Sequence, residues 1–206
     1  PREPEGTAET ILDQLQALGF AWDGEILYQS SRLAAYEVAL QQLNDIGLCF
    51  SCNCTRPRIQ ALGGVYDGHC RSNRDIANRS REYAVRIQTA DHCISFDDLI
   101  QGEYHQNIRL EFGDFVIKRK DNLFAYQLAV VVDDSFQNIT DVVRGFDLIG
   151  STARQIYLQQ QLSIHVPRYA HFPFTAHKTV EKLSKHQPAS AVDVSRTSHG
   201  FPHAIK

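Results

Sequence analysis

The 206-residue chain sets 21 lysines and arginines against 24 aspartates and glutamates, a formal net charge of −3. That balance excludes a general attraction to phosphate backbones and leaves any nucleic-acid contact to local basic patches. A hydrophobic share of 43% and a charged share of 22% exclude a disordered chain.

No apolar run approaches a membrane span, and "PREPEGTAE" has neither the basic head nor the apolar core of a signal peptide. The expected compartment is therefore the cytoplasm, with no membrane partner, and clustered cysteines there point to metal or redox chemistry rather than disulfides. The sequence contains no methionine and opens at Pro1, so it reads as a piece of something longer.

In chain order, Thr7 is placed to cap a first helix, with Glu9 in its first turn, Ile11, Leu12, Leu15 and Leu18 on one face, and Gly19 as the stop. Ser30 or Ser31 opens a second helix bearing Leu33, Tyr36, Leu40, Leu43 and Ile46, closed by Gly47. The cysteine-rich segment follows as a turn-rich loop with Gly63, Gly64 and Gly68. Glu82 to Gln88 alternates as a half-buried strand, and Asp114 to Lys120 is a second strand. The apolar run Phe124 to Asp134 fits a strand or a buried helix equally. Thr140 to Gly145 reads as a short buried strand, after which Ser151 or Thr152 caps a helix reaching Leu162. This alternation predicts an α/β domain with the cysteine region inserted.

Cys52 and Cys54 form a Cys-x-Cys pair, and Tyr66 and Cys70 follow at close spacing. Zinc takes four ligands in a tetrahedron and can pin a loop too polar to fold alone. Three cysteines supply three ligands; Tyr66, His69 and Cys49 are the candidates for the fourth, and general zinc chemistry favours His69 or Cys49 over a phenol. Buried free thiols are the alternative, which the surrounding polar residues and glycines disfavour. Basic residues gather at Arg71, Arg74, Arg79 and Arg81 and again at Lys118, Arg119 and Lys120.

"EKLSKHQ", Glu181 to Gln187, suits a loop whose ammonium groups meet nucleotide phosphates, although a solvated turn has the same appearance. Arg144 ends an apolar strand just before Gly145, where open α/β sheets bind ligands and where its fork would grip a carboxylate. A structural ion pair with Asp133, Asp134 or Asp141 is the competing role.

Together "YQSSRLAAYEVALQQL", "CNCTRPRI", "VYDGHC", "GDFVIKRKDNLFAYQLAVVVDD", "ITDVVRGFDLIGSTARQIYLQ" and "EKLSK" resemble the catalytic domain of the class I glutamyl-tRNA synthetases, in particular the short paralogous branch acting on queuosine. The resemblance implies a Rossmann-type α/β catalytic domain over residues 1–48 and 113–187, a zinc-bearing acceptor-type insertion over 49–112, and an irregular tail over 188–206. It implies Cys52, Cys54, Tyr66 and Cys70 as zinc ligands, with His69 as the fallback. Tyr126 and Arg144 would hold L-glutamate, and Lys185, in the place of the KMSKS loop, would contact ATP with its Mg2+. The implied reaction forms glutamyl-adenylate and then transfers glutamate to the queuosine base of tRNA(Asp), with no protein nucleophile. The family's HIGH-type signature is missing from this sequence, so a fragment of an ordinary glutamyl-tRNA synthetase and a catalytically incomplete zinc-containing fragment stand as alternatives.

Overall fold

Helix α1, Thr7–Ala17, starts from Gly6, whose φ of 82° only glycine adopts without strain. Thr7 is thus inside the helix, and the Thr10 hydroxyl donates to the Gly6 carbonyl. The structure, a computed structural model, describes residues 6–72 and 82–173. The chain divides into two units, 1–27 with 175–206 and 28–174. The remaining elements belong to the second unit.

Helix α2, Leu33–Asp45, is preceded by a 3-10 turn at Gln29–Ser31, where Ser31 Oγ donates to the Tyr28 carbonyl instead of capping the helix. Tyr36, Ala39, Leu40 and Leu43 are its buried face, while Leu33 and Ile46 at the two ends are exposed. Strands β1 (Cys49–Cys52), β2 (Ala84–Ile87) and β5 (Phe115–Lys118) form an antiparallel sheet in the order β1-β2-β5. The cysteine segment is therefore more ordered than a loop: it starts on β1 and continues through helix α3, Arg56–Ala61.

A second sheet has the order β4-β3-β7-β6, from β3 (Cys93–Asp98), β4 (Gly102–Asn107), β6 (Asp141–Gly145) and β7 (Arg168–Phe172). β3 and β4 form an antiparallel hairpin, whereas β7 runs parallel to both β3 and β6. Between β4 and β5 lies the one-turn helix α4, Ile108–Glu111. The apolar run that pattern left open is helix α5, Tyr126–Phe136, with Leu128, Ala129 and Val131 buried. Helix α6, Ile149–Gln161, links β6 to the parallel β7 and so completes a β-α-β unit. It begins two residues earlier than the expected cap because the 3-10 turn Phe146–Leu148 runs straight into it; Ser151 and Thr152 are buried within its first turn. Among the described residues β6 is an edge strand, not a buried one, and Val143 is 65% exposed.

The core is one cluster in which Leu43 of α2, Ile87, Ile117, Leu128, Val131 and Leu158 of α6 meet almost without solvent contact. Burying each such side chain contributes about 1.5 to 3 kcal/mol. Leu43→Ala should cost about 2 to 5 kcal/mol. Denaturant unfolding should show a lower midpoint at an unchanged slope; an unaltered midpoint would remove α2 from the core.

Candidate active site and metal centre

Parallel pairing of β6 with β7 sets Arg144 directly opposite His171. Arg144 Nε donates to His171 Nε2 at 2.9 Å, Nη1 to Gln155 Oε1 at 2.8 Å and to the Tyr126 hydroxyl at 3.4 Å, and Nη2 to Thr152 Oγ1 at 2.8 Å. Every one of these acceptors is neutral. Asp133 instead takes Arg32 Nε at 3.2 Å and the Tyr36 hydroxyl at 2.6 Å, and Asp141 takes Arg168 at 2.7 Å. Asp134 is near enough to feel the Arg144 charge; burial pushes its carboxyl up to about 6 despite that attraction, with the neighbouring Asp133 adding to the rise.

Helix α5 presents Tyr126 as its first residue, and the residue is 46% exposed. Thr152 and Gln155 are buried on the first turns of α6. Gln155 Nε2 has no hydrogen-bond partner among the described residues although Oε1 holds Arg144. The arrangement is a preorganised cation at the carboxyl end of two parallel strands, flanked by an open phenol and a spare buried donor. Such a cation can bind a carboxylate through its uncommitted Nη2 hydrogen and by exchanging the long Tyr126 contact.

Behind Arg144, His171 is entirely buried and its Nδ1 stands 2.5 Å from Asp98 Oδ2. Asp98 Oδ1 accepts from the backbone N–H groups of Ile100, Gln101 and His171.

The second cluster joins Cys52, Cys54 and Cys70, whose sulfurs all lie within 4.8 Å of one another. Cys54 and Cys70 Sγ are 3.5 Å apart, and the Tyr66 hydroxyl oxygen lies 3.7 Å from Cys52 Sγ while accepting from the Cys70 N–H at 2.7 Å. Cys52, Tyr66 and Cys70 are buried, whereas His69 is exposed and neither it nor Cys49 belongs to the cluster. Gly113 holds Tyr66 in place: the two residues form a parallel bridge, and a Cβ on Gly113 would sit 2.6 Å from the Tyr66 carbonyl oxygen. Arg86 donates to Cys52 Sγ at 3.2 Å and lies 4.1 Å over the Tyr66 ring. Burial pushes the Cys52 thiol up, but Arg86, the Cys54 backbone and the Tyr66 hydroxyl outweigh it and hold it below the usual thiol range. Burial and the neighbouring sulfurs push Cys54 up to about 11.

Residues 1–202 match the family described as tRNA synthetases class I (E and Q), catalytic domain. The chain belongs to this family. Glutamyl-Q tRNA(Asp) synthetase of Escherichia coli O6:H1 is 48% identical over 192 residues, 93% of this chain and 61% of that protein. The protein of that name from Serratia proteamaculans is 47% identical over 192 residues, 93% of this chain and 62% of its own length. The chain thus spans about three fifths of the curated relatives it matches. Among solved structures, glutamate-tRNA synthetase from Elizabethkingia anophelis superposes with a TM-score of 0.76 at 22% identity, over 98% of this chain and 45% of that one. That likeness is one of fold, and it agrees with the mixed α/β sheets of a class I catalytic domain.

Within this class I domain, the sequence pointed to Tyr126 and Arg144, which the structure brings within one hydrogen bond, and to Cys52, Cys54, Tyr66 and Cys70, which it gathers at a second point. Lys185 and the "KLSK" segment lie outside the described residues, as do Arg74, Arg79 and Arg81. The other basic residues are largely neutralised: Arg71 by Asp114, Lys118 by Glu37 and Arg119 by Asp121. Sequence reasoning missed Asp98, His171, Gln155 and Arg86 as parts of the two clusters. For His171 the sequence offers no local signal: β7 is buried on both faces at Tyr169, Ala170 and His171, and "RYAHF" does not alternate.

The raised Asp134 carboxyl gives a pH test. Its proton is held more tightly in the folded state than in the unfolded one, so ionised Asp134 costs stability above about pH 6 and costs nothing below about pH 4. Asp134→Asn should therefore stabilise the domain at about pH 7.5 and lose that advantage at about pH 4. Unfolding midpoints of both proteins across this range check the sign; an advantage that grows as pH falls would contradict it.

Proposed function

We propose that this chain carries out glutamate activation with ATP and transfer of the glutamyl group to the queuosine base of tRNA(Asp). The observation that carries the reading is Arg144, a guanidinium held among the described residues by neutral acceptors beside the exposed Tyr126. Its planar fork suits the side-chain carboxylate of L-glutamate, and a glutamine amide would lose the charge-assisted pair. The names of the relatives, which span queuosine-specific synthetases, favour this acceptor over the terminal adenosine used by ordinary glutamyl-tRNA synthetases.

In the first step the glutamate α-carboxylate attacks the α-phosphate of ATP, pyrophosphate leaves, and a glutamyl-adenylate forms. In the second, the carbonyl carbon passes from AMP to a hydroxyl of queuosine. Neither step needs a nucleophile from the protein; Arg144 and Tyr126 orient the amino acid, and Lys185 would meet the charge on the departing pyrophosphate.

The three thiols and the Tyr66 oxygen fit a zinc ion: four donors converge, three are soft, two of the three thiols are buried, and no disulfide joins them. Cys52, Cys54, Tyr66 and Cys70 would hold zinc, His69 being too exposed and outside the cluster. Zinc when bound supplies structural cross-linking, not chemistry on the substrate. The chain's own residues prepare that role, with Gly113 fixing Tyr66 and Arg86 offering a positive charge to the thiolates.

Purified under reductant, the chain should carry about one zinc per molecule. Cys54→Ser should lower that stoichiometry and expose the 49–71 segment to protease, while the Leu43 core stays folded because Cys54 packs against the separate cysteine cluster. Protein free of zinc by metal analysis would end the metal assignment.

Glutamate-dependent exchange of pyrophosphate into ATP, measured without tRNA, tests the activation step. Arg144→Lys keeps the charge but loses the fork and should weaken use of glutamate by about 2 to 4 kcal/mol in kcat/KM. A variant with a lower melting temperature but unchanged glutamate kinetics would make Arg144 a structural residue.

A further inference from the structure

Arg144 Nε–H can only donate, so the atom it meets at 2.9 Å, His171 Nε2, must accept and carries no proton. The single ring proton of the neutral imidazole is then on Nδ1, where it points at Asp98 Oδ2 from 2.5 Å. Asp98 cannot swivel away from this task. Its Oδ1 is fixed by the N–H groups of Ile100 at 3.1 Å, Gln101 at 2.9 Å and His171 itself at 3.1 Å. Burial pushes the Asp98 carboxyl up, yet the His171 ring and these amides outweigh it and hold it below the usual carboxylate range. Asp98 is 3% exposed and His171 0%, so no water competes for either contact.

We propose that Asp98 is a positioning residue for Arg144: by fixing His171 in the Nδ1–H tautomer it creates the acceptor that aims the guanidinium at the substrate carboxylate. The inference deepens the glutamate reading and rests on it. Asp98 stands at the end of β3 and pairs across to Tyr169 of β7, so the β3-β4 hairpin sets the acceptor on β7 that in turn orients Arg144 on β6. The residue does not touch substrate; it acts through a tautomer.

Asp98→Asn is the decisive substitution because it is nearly isosteric. Its carbonyl oxygen can keep the three backbone donors, while its amide nitrogen now donates to His171 Nδ1. The imidazole must then carry its proton on Nε2, where N–H faces Arg144 N–H, and that Nε2–H is drawn to Thr152 Oγ1, already 3.3 Å away and itself a partner of Arg144. A donor set against a donor loses the hydrogen bond and repels.

The test uses the 206-residue chain labelled with 15N-histidine, with His171 assigned by comparison with His171→Gln, and titrations with L-glutamate. The wild-type ring should show Nδ1 protonated and Nε2 unprotonated, and Asp98→Asn should reverse the two. Glutamate affinity should fall about 10-fold or more in Asp98→Asn, in proportion to a lost charged hydrogen bond, with the unfolding midpoint close to wild type. In a His171→Gln background the glutamine oxygen accepts from Arg144 whatever stands at 98, so Asp98→Asn should cost no further affinity. A wild-type Nε2–H tautomer overturns the proposal. So does an equal loss from Asp98→Asn in the His171→Gln background, which is what a merely structural aspartate gives. So does full affinity in Asp98→Asn beside a weakened Arg144→Lys. If Arg144→Lys itself binds glutamate normally, the substrate reading falls instead, and the tautomer measurement alone decides whether Asp98 governs the Arg144 contact.

Discussion

A carboxylate out of contact with water has to be surrounded by donors, and Asp114, fully buried, imposes that requirement on the middle of the chain. Arg71 meets it through Nε at 2.6 Å and Nη2 at 2.5 Å, and Thr89 adds its N–H at 2.9 Å and its hydroxyl at 3.2 Å. The Asp114 carbonyl takes Arg86 Nη1 at 2.6 Å. Arg71 directly follows Cys70, Arg86 touches Cys52, and Gly113, which admits Tyr66, directly precedes Asp114. One residue, through its carboxylate and its carbonyl, thus orders the start of β5 and both ends of the cysteine segment. Removing that carboxylate would leave Arg71 and the two Thr89 donors without their acceptor, a far larger penalty than the pair itself contributes.

Much of this was legible in the sequence where a period had enough residues to show. Tyr36, Leu40 and Leu43 announced α2 by their spacing, and Ala84 to Ile87 announced β2 by alternation. The strands that escaped are short or polar: β4 reads Gly-Glu-Tyr-His-Gln-Asn and has no apolar face to detect, because its support is the β3 partner and not a core. Helix starts were misplaced for a related reason. Ser31 and Thr152 look like caps, but their hydroxyls are committed to Tyr28 and to Arg144, and only tertiary contacts determine such choices.

The two candidate clusters divide the same way. Cysteines are rare enough that spacing alone collected Cys52, Cys54 and Cys70, and the resemblance selected Tyr66 where spacing left His69 and Cys49 open. Asp98 and His171 are 73 residues apart, and no local pattern links an aspartate at a hairpin to a histidine on a distant parallel strand. Their association is a property of the sheet order β4-β3-β7-β6, which brings the hairpin against β7.

Two arginines hold the electrostatics of the chain in opposite ways. Arg86 is spent: its charge lies against the Cys52 sulfur, the Tyr66 ring and the Asp114 carbonyl, lowering the Cys52 thiol where burial alone would raise it. Tyr66, by contrast, is pushed well above the ordinary phenol range by burial and by its sulfur neighbours, so its oxygen stays protonated unless a cation arrives. A bound metal ion would reverse that direction, because its charge outweighs the desolvation that burial imposes. Arg144 is not spent. Histidine, glutamine, threonine and tyrosine orient it without cancelling its charge, and this is the condition under which a guanidinium buried among polar side chains attracts an anion from solution instead of closing on one of the protein's own carboxylates. Asp133 and Asp141 are instead committed to Arg32 and Arg168, the first pair largely buried and the second exposed, so neither carboxylate is drawn to Arg144.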